Sequence, residues 1–347
     1  MIVTLVGPDA NDQSDSLLAR ARSRGESGRR VVFGDGSVAI GLDKPLLSED
    51  LASVPDARIV ENHRPYMMAS SEHRARTQVV VGDVVIGGDT PVLIAGPCVV
   101  EDRQQLIDAA MAVKAAGASI LRGGAFKPRT SPYSFQGLGE LGLQLLADAR
   151  EAVGLPVVTE VLEPEQVETV AEYADMLQIG ARNMANTPLL RRAGRTGKPI
   201  LLKRGFSATI EEWLMSAEYI MAEGNPNVVL CERGIRGFDP AVRFNLDLNA
   251  VALVRELSHL PVVVDPSHGT GVRSLVAPMA LAGIAAGANG LIIEALPNPE
   301  SAVCDAYQTI TVGELATIHR RTNSIAELLL KDVSIRLVDE VEAGLVA

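Results

Sequence analysis

The sequence predicts an α/β chain: a (β/α)8 TIM barrel preceded by a small ferredoxin-like α+β unit. Three observations predict it. From about Pro91 one rhythm repeats, a short apolar run, a polar or glycine-rich corner, then a helical stretch. The apolar runs are continuous rather than alternating, which marks strands covered on both faces, as in a parallel sheet. Nearly every run also carries its unusual polar residues at or just past its C-terminal end: Cys98, Arg122, Glu160, Arg182, Lys203, Arg233, His268 and Glu294. A doubly wound open sheet fits the alternation too, but it would spread those ends along an edge. A barrel gathers them at one mouth.

Taken in order, residues 1–75 form the first unit. IVTLVG (2–7) reads as a strand, DQSDSLLARARSRG (12–25) as a helix, and RRVVFGDGSVAIGL (29–42) as a hairpin around Gly-Asp-Gly. LLSEDLASV (46–54) is a short helix and ARIVEN (57–62) a last strand. The order βαββαβ is that of a split βαβ unit. Residues 76–90 link this unit to the barrel, with VVVGDVVIGG as a hairpin covering its bottom.

The barrel spans 91–330. Its eight runs are PVLIAGPC (91–98), SILRGGAF (119–126), PVVTEVL (156–162), MLQIGA (176–181), PILLKRG (199–205), VVLCERG (228–234), PVVVDPSH (261–268) and GLIIEALP (290–297). Between them lie helical patterns such as QQLIDAAMAVKAAG and SLVAPMALAGIAAG, several ending on glycine as helix C-caps do. From Leu275 to Ile293 no charged residue occurs for 19 positions, the length of a membrane span. Pro278, Gly283, Gly287 and Gly290 interrupt it, so a buried helix, a glycine turn and a buried strand explain it better. A helix is expected from about Asn323, and residues 331–347 are a C-terminal tail.

Composition narrows the class. The 347 residues are 47% hydrophobic and 22% charged, enough for a large core and too apolar for disorder. Forty-three acidic against 32 basic residues leave a net charge of −11, which disfavours nucleic acid as a partner. Three cysteines cannot build a disulfide framework and fit a reducing, cytoplasmic setting. The opening residues carry no basic segment before a long apolar run, so no targeting signal is expected.

Two kinds of group meet at the predicted mouth. Cys98, His268, Glu294 and Asp305 (in the loop after the last run) suit a divalent first-row metal. Singly, each has an ordinary explanation: a core cysteine, a helix-capping histidine, a solvated loop carboxylate. Convergence of the strand ends is what raises them to a candidate site. The second kind is cationic: Arg122, Lys127, Arg129, Arg182, Lys203, Arg233 and Arg236. Some could pair with Glu160 and Glu232 as structural ion pairs. So many converging cations otherwise repel one another unless an anion binds, and guanidinium and ammonium groups suit carboxylate and phosphate oxygens. The residues thus point to a metal-dependent enzyme acting on phosphorylated, carboxylated small molecules.

AGPCVVE (95–101), LRGGAFKPRTSPYSFQGLG (121–139), QIGARNM (178–184), LLKRGFSATIEEWL (201–214), LCERGIRGF (230–238) and DPSHG (265–269) occur in that order. Together they resemble type I 3-deoxy-D-arabino-heptulosonate 7-phosphate (DAHP) synthase, in the branch shared with KDO8P synthase. The N-terminal unit resembles the regulatory domain of one subgroup, and the likeness covers essentially residues 1–320. It implies a transferase, 3-deoxy-7-phosphoheptulonate synthase, condensing phosphoenolpyruvate with erythrose 4-phosphate in the first step of the shikimate pathway. It implies Cys98, His268, Glu294 and Asp305 as ligands of a manganese, iron, zinc or cobalt ion. Arg122, Lys127, Arg182, Lys203 and Arg233 would surround phosphoenolpyruvate, and Arg129, Thr130 and Ser131 the aldose phosphate. Lys203, Glu160, Cys98 and His268 are the implied catalytic residues. A homotetramer or homodimer and an aromatic amino acid effector complete what the resemblance implies.

Two stretches depart from the family pattern. Gly271-Val272-Arg273-Ser274 stands where Gly-Arg-Arg-Asp is usual, and Glu294-Ala295-Leu296-Pro297 where the glutamate is usually followed by Val-His-Pro. Neither removes an implied metal ligand. Both adjoin the aldose, so the same chemistry on another aldose phosphate, as in KDO8P synthase or a secondary-metabolism paralogue, is the alternative. A barrel kept only as a binding partner is the non-enzymatic one.

Overall fold

The structure, a computed structural model, describes residues 1–33, 36–60, 64–129 and 131–344. The Gly-Asp of the predicted hairpin turn, the end of the predicted strand 57–62, and Thr130 lie outside the described residues.

The chain begins with β1 (Ile2–Leu5), α1 (Ala10–Ser23), β2 (Gly28–Val32), β3 (Val38–Leu42), α2 (Ser48–Ala52) and β4 (Arg58–Val60). Their sheet order is β2-β3-β1-β4 with antiparallel pairings throughout, the ferredoxin-like arrangement. Alternation decides which face is covered. Val3 and Leu5 point the same way as Ile40 and Leu42, and α1 lays Leu17, Leu18 and Ala21 over them. Burial of each large apolar side chain there contributes about 1.5–3 kcal/mol.

A two-stranded hairpin follows, β5 (Val79–Val81) and β6 (Val84–Ile86). The barrel then alternates β7 (Val92–Gly96), α3 (Arg103–Ala115), β8 (Ile120–Arg122), α4 (Glu140–Val153), β9 (Val157–Val161), α5 (Val167–Tyr173), β10 (Met176–Ile179) and α6 (Thr187–Arg195). It continues with β11 (Ile200–Lys203), α7 (Ile210–Met221), β12 (Val228–Glu232), α8 (Leu248–Leu257), β13 (Val262–Val264), α9 (Pro266–Thr270), α10 (Arg273–Ala285) and β14 (Gly290–Leu296). All eight strands run parallel, and β14 pairs with both β13 and β7, closing the ring.

Alternate residues of each strand face inward or outward. Ile94, Ile120, Val158, Leu201, Val229 and Ile292 fill the interior, where Val79, Val81 and Ile86 of the hairpin join them and plug the bottom. Leu93, Leu121, Leu177, Leu202 and Ile293 face the helices. The uncharged stretch from Leu275 to Ile293 becomes most of α10, a turn and the first part of β14, as expected. Among the described residues no helix is long and apolar enough to cross a membrane.

A short β15 (Ile310–Thr311) pairs with β14 and leads into α11 (Val312–Gly344), which packs on α3 and α10. The helix expected near Asn323 is therefore the middle of a longer one that continues through 331–344. The segment before the hairpin is tied to the barrel wall. Met68 and Ala69 donate their backbone N–H groups to the Glu218 carboxylate of α7 at 2.8 and 3.0 Å.

Candidate active site

Strand direction places the chemistry. Parallel strands of one barrel end together, so the polar residues at their C-terminal ends share a cavity of about 380 Å³. Cys98, Arg122, Lys127, Arg129, Ser131, Glu160, Arg182, Lys203, Arg233, His268 and Asp305 all line it. Glu294 lies fully buried just beneath. Arg236 is not part of the lining.

Three of the four predicted metal ligands come together. One ligand atom each from Cys98, Glu294 and Asp305 lies within 4.8 Å of the others. His268 stands outside that tight trio and joins it through Glu294, its Nε2 being 3.3 Å from Glu294 Oε1. Asp305 reaches the site from the loop after β14 with a φ of +55°, the one non-glycine residue with positive φ among the described residues. Short acidic side chains tolerate that left-handed backbone better than most.

The hydrogen bonds also indicate a cation. Asp265 caps α9, accepting from His268 N at 2.9 Å, and also accepts from His268 Nδ1 at 2.8 Å and Lys203 Nζ at 2.6 Å. Burial depresses the His268 pKa more than Asp265 and Glu294 raise it, so the ring is neutral. With its proton on Nδ1, the bare Nε2 faces Glu294 Oε1, a buried oxygen with no hydrogen-bond partner among the described residues. Two acceptors facing each other suit a cation between them. Lys127 Nζ already occupies cationic space here, 2.6 Å from Cys98 Sγ and 2.9 Å from Asp305 Oδ2. The donor set of thiol, imidazole and two carboxylates fits a first-row divalent metal.

Electrostatics divides the acids. Burial alone would raise the pKa of Glu294 and Asp305. His268, Arg122 and Lys127 outweigh it at Glu294, and Lys127 outweighs it at Asp305, so both are held below the usual carboxylate range. Glu160 is the opposite case. Burial raises its pKa despite Lys203, Lys127, Arg122 and Arg182. It lies beside Gln178 across the β9–β10 ladder and accepts from Gln178 Nε2 at 3.3 Å. Gly180 leaves the room, since a Cβ there would run into Glu160 Oε1. Burial, then the Glu294 charge, pushes the Cys98 thiol well up.

The cations do not pair where the sequence suggested. Arg122 meets Glu294 at 3.3 Å, Lys127 meets Asp305, and Lys203 meets Asp265. Glu232 is engaged instead by Arg204, which also reaches Asp247. Arg129 donates to Cys304 Sγ at 2.9 Å, beside Asp305. Sequence reasoning missed Asp265, although its place three residues before His268, at a helix N-cap, was the available signal. It missed Gln308, which carries no such signal.

Comparison with known proteins identifies a family. The family model described as "DAHP synthetase I family" matches residues 64–331. The phospho-2-dehydro-3-deoxyheptonate aldolase of Thermotoga maritima is 47% identical over 302 residues, 86% of this chain and 88% of the relative. The 2-dehydro-3-deoxyphosphooctonate aldolase of Syntrophotalea carbinolica is 34% identical over 255 residues, 68% of this chain and 91% of that protein. The crystal structure of the Thermotoga maritima aldolase, called DAHP synthase, superposes with a TM-score of 0.75 at 43% identity, covering 94% of this chain and 97% of that one.

Proposed function

The chain belongs to the DAHP synthetase I family and is an enzyme of that family, and from this premise we propose its reaction. It condenses phosphoenolpyruvate with erythrose 4-phosphate to give DAHP and inorganic phosphate, in the cytoplasm, as the first step of the shikimate pathway. In this reading residues 1–75 are the regulatory unit, 76–90 a linker and 91–330 the catalytic barrel. The observation that carries the proposal is the meeting of Cys98, Glu294 and Asp305 within 4.8 Å beside a cavity lined by cations.

Cys98, His268, Glu294 and Asp305 would hold the divalent metal, which when bound supplies Lewis acidity to the aldehyde oxygen. The remaining work falls to the chain's own side chains. Arg122, Lys127, Arg182, Lys203 and Arg233 neutralise the phosphate and carboxylate of phosphoenolpyruvate and fix its orientation. Arg129 and Ser131, with Thr130, hold the aldose phosphate so that its aldehyde carbon faces C3 of phosphoenolpyruvate. Attack by C3 leaves C2 electron-poor. Water adds there and phosphate departs with C–O cleavage. Glu160, its pKa raised by burial, is the group suited to take the proton of that water. Lys203, braced by Asp265, stays near the departing phosphate as a positive charge.

Phosphate release from phosphoenolpyruvate, measured with a panel of aldose phosphates, tests this. Turnover with erythrose 4-phosphate supports it. Turnover only with arabinose 5-phosphate transfers the chemistry to the alternative substrate, and none with any aldose phosphate overturns it. Repeating the assay with each aromatic amino acid separates a sensing N-terminal unit from a purely structural cap.

A further inference from the structure

Apart from Arg129, which donates to Cys304, the cations at the mouth are supported in two different ways. Arg122, Lys127, Lys203 and Arg204 each lie against a carboxylate. Arg182, Arg233, Arg236 and Arg243 have no ion pair within 4.0 Å among the described residues. They rest on two phenylalanines instead.

Phe206 follows β11 and Phe244 lies in the loop after β12. Their rings stack with centroids 5.0 Å apart and planes 14° from parallel. Arg233 Cζ is 4.8 Å from the Phe206 centroid and 4.2 Å from that of Phe244. Arg182 and Arg236 each approach Phe206 to 5.6 Å, and Arg243 approaches Phe244 to 5.5 Å. Arg233 is the innermost of the four. It is 5% exposed, lines the cavity, and its Nη1 has no hydrogen-bond partner among the described residues.

We propose that the stacked pair Phe206–Phe244 is the positioning platform of Arg233, holding an anion-binding guanidinium by ring faces so that its whole charge faces a phosphoryl group. A carboxylate partner would fix the guanidinium equally well but would compete with the incoming anion. A ring attracts the cation through its quadrupole and carries no net charge. It also engages the guanidinium through π contacts and leaves N–H donors free for oxygen atoms. Burial pulls the Arg233 pKa down more than the Asp265 charge raises it, in keeping with a desolvated cation that no acid neutralises. Arg204, one residue from Lys203, gives the contrast: clasped by Glu232 and Asp247, it braces the wall and does not line the cavity.

The inference rests on reading the cavity as the phosphoenolpyruvate site, and the binding arm of its test does not depend on turnover. Full-length, manganese-loaded wild type, Phe206→Leu, Phe206→Tyr and Phe244→Leu are titrated with inorganic phosphate by calorimetry. The same proteins are assayed over phosphoenolpyruvate concentration. Leucine keeps the apolar bulk but removes the quadrupole. Either leucine variant is expected to weaken phosphate binding and raise KM for phosphoenolpyruvate about tenfold, with kcat within about twofold. Phe206→Tyr restores both. Should one leucine variant fail to fold, the other supplies the comparison. Wild-type phosphate affinity in a folded leucine variant overturns the platform, as does a Tyr variant no better than Leu or a wild type that binds no phosphate. Absence of turnover in a wild type that binds phosphate would count against the proposed reaction alone.

Discussion

Gln308 and Glu294 are locked together at the floor of the site. Gln308 Nε2 donates to Glu294 Oε2 at 2.6 Å, and both side chains are fully buried. The bond uses one carboxylate oxygen and turns the other, Oε1, toward His268 and Arg122. Partners of this kind typically set metal affinity by 10- to 100-fold. Gln308→Leu should therefore bind manganese about tenfold or more weakly in a chelator competition, while Cys98, His268 and Asp305 stay in place. Unchanged affinity would reduce Gln308 to packing.

Asp265 serves two partners, and removing its charge should disturb both. In Asp265→Asn the amide no longer fixes the proton on His268 Nδ1 or balances Lys203. We expect kcat to fall about 100-fold or more, by analogy with other carboxylates that orient a histidine. Breaking a buried ion pair also costs about 3–5 kcal/mol, so thermal melting must be measured alongside kinetics. Wild-type kcat in a folded variant would contradict the assignment.

Gly180→Ala tests how tightly Glu160 is seated. The added methyl would occupy the space of Glu160 Oε1. Displacing the carboxylate should lower kcat at least tenfold with little change in KM, since the cations proposed to bind substrate lie on other side chains. A fall in substrate affinity at constant kcat would show that Glu160 positions rather than exchanges protons.

Stability should fall with acid through two histidines far from the mouth. His73, near the end of the first 75 residues, and His259, just before β13, are buried with ring centroids 5.8 Å apart, and burial pulls each down to about 4. Their folded pKa lies below the unfolded value of 6.5, so the unfolded chain binds more protons between the two. Stability is then complete above about pH 6.5 and declines as pH drops toward 4, by on the order of 3 kcal/mol per ring. Buried acids such as Glu218 act in the opposite direction, so the comparison must be between wild type and His73→Phe. The variant should lose less stability than wild type from pH 7 to pH 4.5, and parallel curves would refute the idea.

Most of the fold was legible because it rests on local patterning. Continuous apolar runs become the barrel strands, the βαββαβ order becomes the antiparallel sheet, and the polar strand ends do converge. Cys98, Arg122, Lys203, His268 and Glu294 sit on or just after strands, so closing the ring alone places them. Residues carried by loops were harder. Asp305 depends on a left-handed backbone turn, and Phe206 meets Phe244 only because two loops fold over the same mouth. Pairing partners were harder still. Nothing in the chain's order says that Arg204 takes Glu232 while Lys203 takes Asp265, because adjacent residues of one strand end point in opposite directions.

The most direct measurement is phosphate release from phosphoenolpyruvate and erythrose 4-phosphate by the purified chain before chelation, after it, and after manganese is restored. Activity should disappear with the metal, return with it, and stay below about one hundredth of wild type in Cys98→Ala. Full turnover by the metal-stripped protein, or by Cys98→Ala, would contradict it.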